Sequence, residues 1–348
     1  MYNREEEIIE QYEVEVKSTA KGRGALICDT DQGTILLREF CGSKERAVFL
    51  HDILDFLAEE DFLAETIMPA KDGEILVKDE LTDITYILKN WYLGRECDVK
   101  NRDDILLAVR KLAQLHNLTK KYQKEIPEFL KMDKESLLTE YEKHNRELNK
   151  VKNYIRNKHK KNEFEVLFMK VYESYKTQAF EVTAQLKEQL DGMEESVVSQ
   201  MWGLCHGDYN QHNIIHFQGE WAVLNFEQMS YDVLVQDLAN FIRKILEKYN
   251  WNTGLGIEMI TAYDQVRKLL PEELKQLYLR LAYPKKYWKI ANHYCSSRKS
   301  WISGRDIEKL EKVIRQETER KQFLKMLFYF TRETGCDIIG RDSNMTVI

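Results

Sequence analysis

Hydrophobic positions divide the chain into a first part with strand spacing and a longer part with helical spacing. Before Gly94, the apolar residues fall in short alternating or β-branched runs, YEVEVKS, GALICDT and GTILLREF, which glycine-containing turns separate. A run with helical spacing follows, SKERAVFLHDILDFLAEE, with Ser43 as its predicted N-cap, and GEILVKD and TYILKNWYLG have strand spacing again. This order predicts a five-stranded antiparallel sheet with one packed helix.

After Gly94 the apolar residues recur at intervals of three and four, which predicts helices almost to the end of the chain. The first of these helices is predicted to open at Asp103 or Asp104. Strand spacing returns once, in NIIH and WAVLNF, which predicts a hairpin. We therefore predict an α+β fold with a small lobe over residues 1–93, a large mainly helical lobe over 94–348, and a ligand cleft between the two lobes.

Composition and charge exclude several classes of protein. The 348 residues are 43% hydrophobic, enough for a substantial core, and 32% charged, with a formal net charge of −6. Lysine and glutamate are interspersed, which argues against nucleic acid as the main partner because phosphate neutralisation needs a clustered basic surface. The six cysteines have no CxxC spacing and are expected to be reduced in a cytosolic setting. The polar N-terminus predicts no signal peptide, and no run approaches the ~18 apolar residues of a membrane span.

The stretch LCHGDYNQHNIIHFQGEWAVLNFEQM, residues 204–229, carries residue types suited to phosphoryl transfer. This reaction needs a carboxylate that orients the acceptor hydroxyl and hard oxygen ligands for Mg²⁺. Asp208 is the candidate for the first task, and Asn213, five positions later, has the spacing to turn back and offer its amide oxygen to a metal. A second metal ligand is expected after the apolar run AVL, where Asn225 and Glu227 stand, and strand alternation predicts both on one face.

Two other interpretations of this stretch compete with catalysis. Cys205, His206, His212 and His216 suggest a zinc site, but their spacing fits no standard zinc site. Alternatively, His206 and Asp208 only stabilise a turn through side-chain hydrogen bonds. On the local residues alone, this second interpretation is about as well supported as catalysis.

The motif HGDYNQHN, followed by LNFEQMSYDVLVQDLANFIRK, resembles the aminoglycoside phosphotransferase and choline kinase superfamily, which has a protein-kinase-like fold. Within it, the likeness is greatest to the CotS family of bacterial spore coat proteins. It extends to KGRGALICDTDQGTILLREF, SKERAVFLHDILDFLAEEDF, YILKNWYLGREC and LAYPKKYWKIANHYCSSRKSW. The resemblance implies that Asp208 is the catalytic-loop aspartate, that Asn213 binds metal and that Trp91 begins the segment after the nucleotide hinge. It also implies that Asp237 is a structural acid before a helix.

Two positions depart from the family pattern. Arg38 stands where the third strand usually carries a phosphate-pairing lysine, and Glu45 is the predicted orienting acid, with Glu39 as the alternative. If Arg38 were instead a surface residue on an edge strand, it would have no such role. Asn225 stands where the metal-binding motif, usually Asp-Phe-Asp, has its first aspartate, and an amide brings no negative charge to Mg²⁺. Glu227 is the candidate to compensate.

The turn KGRG offers weaker indications. Lys21 and Arg23 are predicted to lie over the phosphates of ATP, with two backbone amides beside them. The turn lacks a full GxGxxG pattern, however, and a plain hairpin turn would have the same sequence.

These observations lead to the hypothesis of a kinase-like protein associated with the spore coat, with weakened binding of ATP and Mg²⁺ and with impaired or lost phosphotransfer. The resemblance implies synthesis in the mother-cell cytoplasm and a destination in the coat. The expected partners are a small-molecule hydroxyl acceptor or other spore coat proteins. The alternative is an active ATP-dependent kinase of a sugar, aminosugar or amino-alcohol, and a third, weaker interpretation is a scaffold whose cleft binds nothing.

Overall fold

The structure, a computed structural model, describes residues 4–22, 24–132, 136–296 and 304–333. The chain forms two compact units. The first combines Met1–Pro127 with Leu204–Ser230, and the second combines Glu128–Gly203 with Tyr231–Ile348. The predicted nucleotide lobe, 1–93, falls within the first unit, which also contains all of residues 204–229. The functional division at residues 93 and 94 stays a prediction.

The described residues form eleven strands and thirteen α-helices. The strands are β1 (Val16–Gly22), β2 (Ala25–Thr30), β3 (Gly33–Glu39), β4 (Ile67–Met68), β5 (Val77–Lys78), β6 (Thr85–Asn90), β7 (Arg95–Glu96), β8 (Trp202–Cys205), β9 (Ile214–Phe217), β10 (Glu220–Val223) and β11 (Ser230–Val233). The helices are α1 (Arg4–Ile9), α2 (Lys44–Glu59), α3 (Arg102–Thr119), α4 (Glu128–Met132), α5 (Leu137–Arg156), α6 (Glu163–Asp191), α7 (Glu195–Met201), α8 (Val235–Leu246), α9 (Thr253–Val266), α10 (Pro271–Ala282), α11 (Lys285–Ser296), α12 (Gly304–Arg315) and α13 (Glu317–Glu333).

The main sheet of the first unit is antiparallel, with strand order β1-β2-β3-β6-β4 and β5 also paired with β6. The predicted meander of three strands is confirmed as β1, β2 and β3. The sheet has six strands, not five, because the two-residue strand β4 is too short to produce an alternating pattern. A second helix, α1, also belongs to this core. Its residues Ile8 and Ile9 pack with Tyr12, Leu26 and Leu37.

Helix α2 begins as predicted, with Ser43 accepting the Arg46 N–H at 3.2 Å. Its apolar stripe, which includes Ile53, is buried. The predicted start of α3 at Asp103 or Asp104 is wrong by one or two residues. Asn101 is the N-cap, and its side chain accepts the N–H groups of both aspartates. Asparagine is among the strongest N-caps, and the two aspartates are favoured inside the first turn by the helix dipole.

The predicted hairpin is confirmed as β9 and β10, which pair from Val223 opposite Ile214 to Glu220 opposite Phe217. Strand β7 adds to the outer side of β9. The chain runs from Asn213 into β9 and returns through β10 to Asn225. The hairpin therefore brings Asn213 and Asn225 together within the first unit.

The second unit is built almost entirely from helices. Large rings fill its core, and Tyr175 and Tyr287 stack with ring centroids 4.3 Å apart. Buried polar groups also tie the helices together, such as the pairing of Arg267 with Glu273 at 2.7 Å. In the described part of the chain, no helix combines the length and apolar character that a membrane crossing requires.

Candidate functional site

The loop after β8 is held by His206, whose side chain is fully buried. Its Nδ1 accepts the backbone N–H of Asp208 at 3.2 Å, so the ring proton is on Nε2, which donates to the Leu224 carbonyl at 3.0 Å. Gly207 adopts a φ of 83°, and a Cβ there would lie 1.9 Å from the Gln228 carbonyl oxygen. His206 therefore positions the loop. Among the described residues, no group of three or more His, Cys, Asp or Glu side chains is arranged to hold a metal.

A short 3₁₀ turn over Gln211–Asn213 brings Asn213 back to Asp208. The Asn213 amide nitrogen donates to the Asp208 carbonyl at 2.9 Å and approaches its carboxylate at 3.4 Å. Asn210 caps this turn by accepting the His212 N–H. The spacing of five positions therefore produces the side-by-side arrangement that the sequence predicted for Asp208 and Asn213.

The segment after β10 is not a strand, and the predicted alternation of Asn225 and Glu227 is wrong. Asn225 adopts the left-handed conformation, with φ 65° and ψ 59°, and Phe226–Gln228 form a 3₁₀ turn. Asparagine tolerates this conformation better than most residues because its short side chain is accommodated there. The two side chains still come together, because the tight turn returns Glu227 toward Asn225.

The oxygen atoms of these candidate metal ligands already accept hydrogen bonds. Asn225 donates from its amide nitrogen to Asn213 Oδ1 at 2.8 Å. Arg38 Nη1 donates to Asn225 Oδ1 at 3.1 Å and to Glu227 Oε1 at 3.2 Å. The guanidinium therefore lies against the two groups that were expected to face Mg²⁺.

A second cation reaches the same carboxylate. Lys89 on β6 is buried, and its ammonium donates to Glu227 Oε1 and, at 3.0 Å, to Glu65 Oε1. Glu65 is buried as well and also accepts the Phe226 N–H at 3.0 Å. Burial favours the neutral form of Glu227, but Lys89 and Arg38 outweigh it and hold the pKa of its carboxyl below its usual range. Glu227 is therefore an anion balanced by two cations.

Sheet geometry explains why the two cations converge. In the β3–β6 pairing, Arg38 lies opposite Ile87, and Lys89 lies opposite Leu36. Positions two apart on a strand share a face, so both cations project from the same side of the sheet. Strand β3 lies between β2 and β6, so the alternative of Arg38 on an edge strand is wrong.

Among the described residues, the other predicted nucleotide contacts, Glu45, Lys21 and Trp91, are not side-chain partners of Arg38. Glu45 is fully exposed in the first turn of α2, where hydrogen bonds from its own backbone and from Ser43 lower its pKa, and among the described residues the side-chain partners of Arg38 are the two already named. Lys21 pairs with Glu5 at 2.8 Å. Trp91 extends the sheet, its N–H donating to the Thr34 carbonyl at 2.9 Å. Arg23 lies outside the described residues.

Three residues that hydrogen-bond around Glu227 were not predicted from the sequence: Lys89, Glu65 and Arg46. Arg46, on α2, donates to the backbone carbonyls of Glu227 at 3.1 Å and Met229 at 2.7 Å and so fixes the 3₁₀ turn. The one signal for Lys89 is a charged residue inside the otherwise apolar run YILKNW. Neither Glu65 nor Arg46 has a local signal, because the partners of both are distant in sequence.

The donor set is a poor match for Mg²⁺. Three oxygen atoms, on Asn213, Asn225 and Glu227, are each engaged by an N–H donor, and one of the three groups carries a negative charge. Mg²⁺ prefers carboxylates in near-octahedral geometry, and a guanidinium at this position opposes a cation electrostatically. Arg38 and Lys89 supply the positive charge here.

Comparisons with known proteins identify the family and the fold. A family model described as "Spore coat putative kinase YutH" matches residues 5–327. Spore coat protein S of Bacillus subtilis (strain 168) is 23% identical over 333 residues, which cover 90% of this chain and 89% of that protein.

Two solved structures show the fold. An aminoglycoside phosphotransferase from Alicyclobacillus acidocaldarius is 17% identical, with a TM-score of 0.80 over 94% of this chain and 96% of the other. The amicoumacin kinase hAmiN, solved in complex with AMP-PNP, Ca²⁺ and Ami, is 13% identical, with a TM-score of 0.60 over 92% of each chain. The predicted α+β, protein-kinase-like fold is confirmed.

Proposed function

Because the chain belongs to the YutH family of spore coat kinase-like proteins, we propose that it is a spore-coat-associated protein with a phosphate-binding site and impaired or lost phosphotransferase activity. Synthesis in the mother-cell cytoplasm and delivery to the coat are part of this proposal. Its partners are a small-molecule hydroxyl acceptor or other spore coat proteins.

The observation that carries this proposal is the contact between Arg38 and Asn225 at 3.1 Å. An aspartate at position 225 would bring a charge to Mg²⁺, whereas the amide is instead shared between a guanidinium and Asn213. A bound metal supplies several kcal/mol of transition-state stabilisation, and a loss of about 3 kcal/mol slows a reaction by roughly a hundredfold. Impaired transfer follows from this arrangement.

Nucleotide binding is the part of kinase chemistry that these residues still support. Arg38 is about one third exposed, and its planar guanidinium is suited to paired contacts with phosphate oxygens. By analogy with the amicoumacin kinase, which was solved with an ATP analogue, we propose that ATP binds with its phosphates at Arg38. Mg²⁺ strengthens this binding weakly, because its predicted ligands are already engaged.

An active small-molecule kinase is the second candidate, and the pairing of Asp208 with Asn213 favours it. The turn holds the Asp208 carboxylate beside an amide at 3.4 Å, where it has the chemistry to orient and partly deprotonate an acceptor hydroxyl. In this candidate, Glu227 compensates for Asn225.

Turnover measurements with Asp208→Asn test the proposal. We expect the unsubstituted protein to release phosphate from ATP at a rate close to that of Asp208→Asn, with or without hydroxyl acceptors. The substitution removes the carboxylate but keeps the shape of the side chain, so the variant should remain folded. Thermal melting of both proteins is the control for folding. Robust turnover that Asp208→Asn abolishes would establish the active kinase instead.

A further inference from the structure

The first unit contains a groove between the end of α2 and one face of α3. Its space is about 560 Å³, within the range of roughly 300–1,000 Å³ that small-ligand sites occupy, and it is open to solvent. The segment after α2 supplies Glu60, Asp61 and Phe62 to the wall, and α3 supplies Lys111 and Gln114. The groove shares no residue with the candidate site.

The local sequence explains why these side chains meet. Lys111, Gln114 and Leu118 follow one another at intervals of three and four, so they lie on one face of α3. Across the groove, α2 ends at Glu59, and Asp61 takes the left-handed conformation, with φ 57°, that commonly follows a helix end. The groove therefore lies between a regular helix face and a tightly turned helix end.

Lys111 has no carboxylate partner in this groove. Its side chain is half-buried, and its ammonium lies 4.1 Å from the centre of the Phe62 ring, which is itself buried. Among the described residues, no carboxylate oxygen lies within ion-pair distance of the Lys111 nitrogen. The ring attracts this nitrogen through its π face but accepts no conventional hydrogen bond from it. The nitrogen is therefore positioned at the wall and keeps its bonding directions open to a ligand.

The surroundings of Lys111 favour its neutral amine. Burial lowers the pKa of the Lys111 amine, and Glu220, an exposed residue on β10, offsets only part of this effect. A lower pKa increases the fraction of neutral amine at neutral pH. The neutral amine is the nucleophilic form, and desolvated lysines are the ones that condense with carbonyl compounds in proteins.

A second lysine of the same groove has different surroundings. Lys121 is 62% exposed, and its ammonium pairs with Glu60 at 3.2 Å. Exposure alone would therefore favour reaction at Lys121. The burial of Lys111 and its lack of a carboxylate partner favour reaction at Lys111 instead, so the two lysines distinguish the two explanations.

The other polar groups of the groove suit a hydroxylated molecule. Among the described residues, the side chains of Asp61 and Gln114 have no hydrogen-bond partner within the chain. The Asp61 carboxylate accepts hydrogen bonds from hydroxyl groups, and the Gln114 amide both donates and accepts them. Both residues are exposed, so a ligand reaches them without displacing a protein contact.

We propose that this groove binds a small hydroxylated aldehyde, such as an aldose in its open-chain form, and that Lys111 forms an imine with it. The neutral amine nitrogen attacks the carbonyl carbon, and a carbon–nitrogen bond forms. The carbonyl oxygen leaves as water with the two amine protons, so the step changes no oxidation state. This site is independent of the proposed function because the two share no residue.

Reductive trapping of the full chain with glyceraldehyde and cyanoborohydride tests the proposal. The reductant converts the imine to a stable secondary amine, and mass spectrometry of the digested protein gives the labelling rate at each lysine. At pH 7 we expect Lys111 to be labelled at least about fivefold faster than Lys121, since the neutral fraction of an amine rises about tenfold for each unit fall in pKa. The rate at Lys111 should also saturate with glyceraldehyde, because the aldehyde binds before it reacts.

Matched variants and conditions locate the reaction. Lys111→Arg keeps a cation over the Phe62 ring but forms no imine, so the saturable labelling should disappear while thermal melting confirms the fold. Lys121→Arg should leave the labelling of Lys111 unchanged. In concentrated urea the rates at the two lysines should become equal, because unfolding removes the difference in their surroundings. Propionaldehyde, which has no hydroxyl groups, should label Lys111 without saturation over the same concentrations.

Three results would overturn the proposal. The first is labelling of Lys121 at least as fast as that of Lys111 in the folded protein, which would show that exposure decides the rate. The second is a preference for Lys111 that persists in urea, which would attribute it to the neighbouring sequence and not to the groove. The third is a rate at Lys111 that rises linearly with glyceraldehyde and equals the rate with propionaldehyde, which would show that the groove binds neither.

Discussion

Replacing Asn225 by aspartate tests whether this amide is the reason for impaired transfer. The Asn225 amide nitrogen and Asn213 Oδ1 are 2.8 Å apart, and Asn225→Asp puts a carboxylate oxygen in place of that nitrogen. Two ligands at ~2.1 Å on adjacent octahedral positions of Mg²⁺ lie about 3.0 Å apart. The substitution therefore creates two oxygen atoms at the spacing that a magnesium ion requires.

Without metal, the substitution should destabilise the first unit slightly. It removes one hydrogen bond and leaves two oxygen atoms facing each other, a cost of about 1–2 kcal/mol. Arg38, which lies 3.1 Å from the Asn225 side chain, offsets part of this cost because its bond to a carboxylate becomes charge-assisted. At ~2 °C per kcal/mol for a chain of this size, the melting temperature in chelator should fall by about 2 °C.

With Mg²⁺, the same variant should recover and exceed this loss. An ion present at 100 times its dissociation constant stabilises the folded state by about 2.7 kcal/mol. We therefore expect a rise of about 5 °C between chelator and saturating Mg²⁺ for Asn225→Asp, and less than about 1 °C for the unsubstituted protein. ATP turnover should increase at least tenfold, since the new carboxylate adds charge to the metal.

Thermal melting and phosphate release across Mg²⁺ concentrations measure both effects. Asn250→Asp is the matched control, because Asn250 also has a left-handed backbone, with φ 48°, and belongs to the second unit. If Asn225→Asp gains neither metal-dependent stability nor turnover, the site has lost more than one carboxylate and the scaffold interpretation is better. If the unsubstituted protein already matches the variant, Glu227 has taken the role and the reasoning about impairment is refuted.

One further prediction concerns the ion pair of Lys89 with Glu227, and another concerns Gly207 in the loop after β8. Glu227→Gln should reduce stability by about 2 kcal/mol at pH 7, because buried Lys89 loses one of its two carboxylates. The pKa of Glu227 is lowered in the folded protein, so its stabilising effect is present above its unfolded pKa of about 4.3 and is lost as pH falls through the folded pKa. Urea unfolding curves of Glu227→Gln and of the unsubstituted protein should therefore converge as pH falls through the folded pKa. A constant difference in unfolding free energy down to about pH 2 would contradict this prediction. Gly207→Ala should lower the melting temperature more than Gly219→Ala by at least ~4 °C, because both glycines have positive φ but only at Gly207 does a Cβ clash, 1.9 Å from the Gln228 carbonyl oxygen. Equal losses in circular dichroism melts would show that backbone conformation alone matters.

The elements with strong local patterns were predictable from the sequence. The Ser43 hydroxyl caps α2 by accepting an N–H only three residues later in the chain. The β9–β10 hairpin follows from strand spacing on both sides of a turn. Asp208 and Asn213 could be paired for the same reason, since their separation of five residues is bridged by a single turn. Local chemistry was sufficient in each case.

The contacts that characterise the site were not predictable in this way. The partners of Arg38 lie 187 and 189 positions away, and those of Lys89 lie 24 and 138 positions away. The family position of Glu45 predicts an orienting acid, but the first turn of α2 exposes this residue. Local spacing predicts a strand through Asn225, whereas the left-handed turn there is held by hydrogen bonds from Arg46, on a helix distant in sequence, to the carbonyls of Glu227 and Met229.

The dependence of ATP affinity on Mg²⁺ tests the central claim most directly. Calorimetric titration of the unsubstituted protein with ATP, once in 5–10 mM Mg²⁺ (about a hundredfold above a strong site) and once in chelator, yields the two dissociation constants. Because Arg38 engages both Asn225 and Glu227, we predict binding at both conditions with constants within about threefold of each other, and loss of binding in Arg38→Gln. Binding that is tight in Mg²⁺ and weaker by a hundredfold or more in chelator would show that the site captures metal as an active kinase does, and would contradict the account.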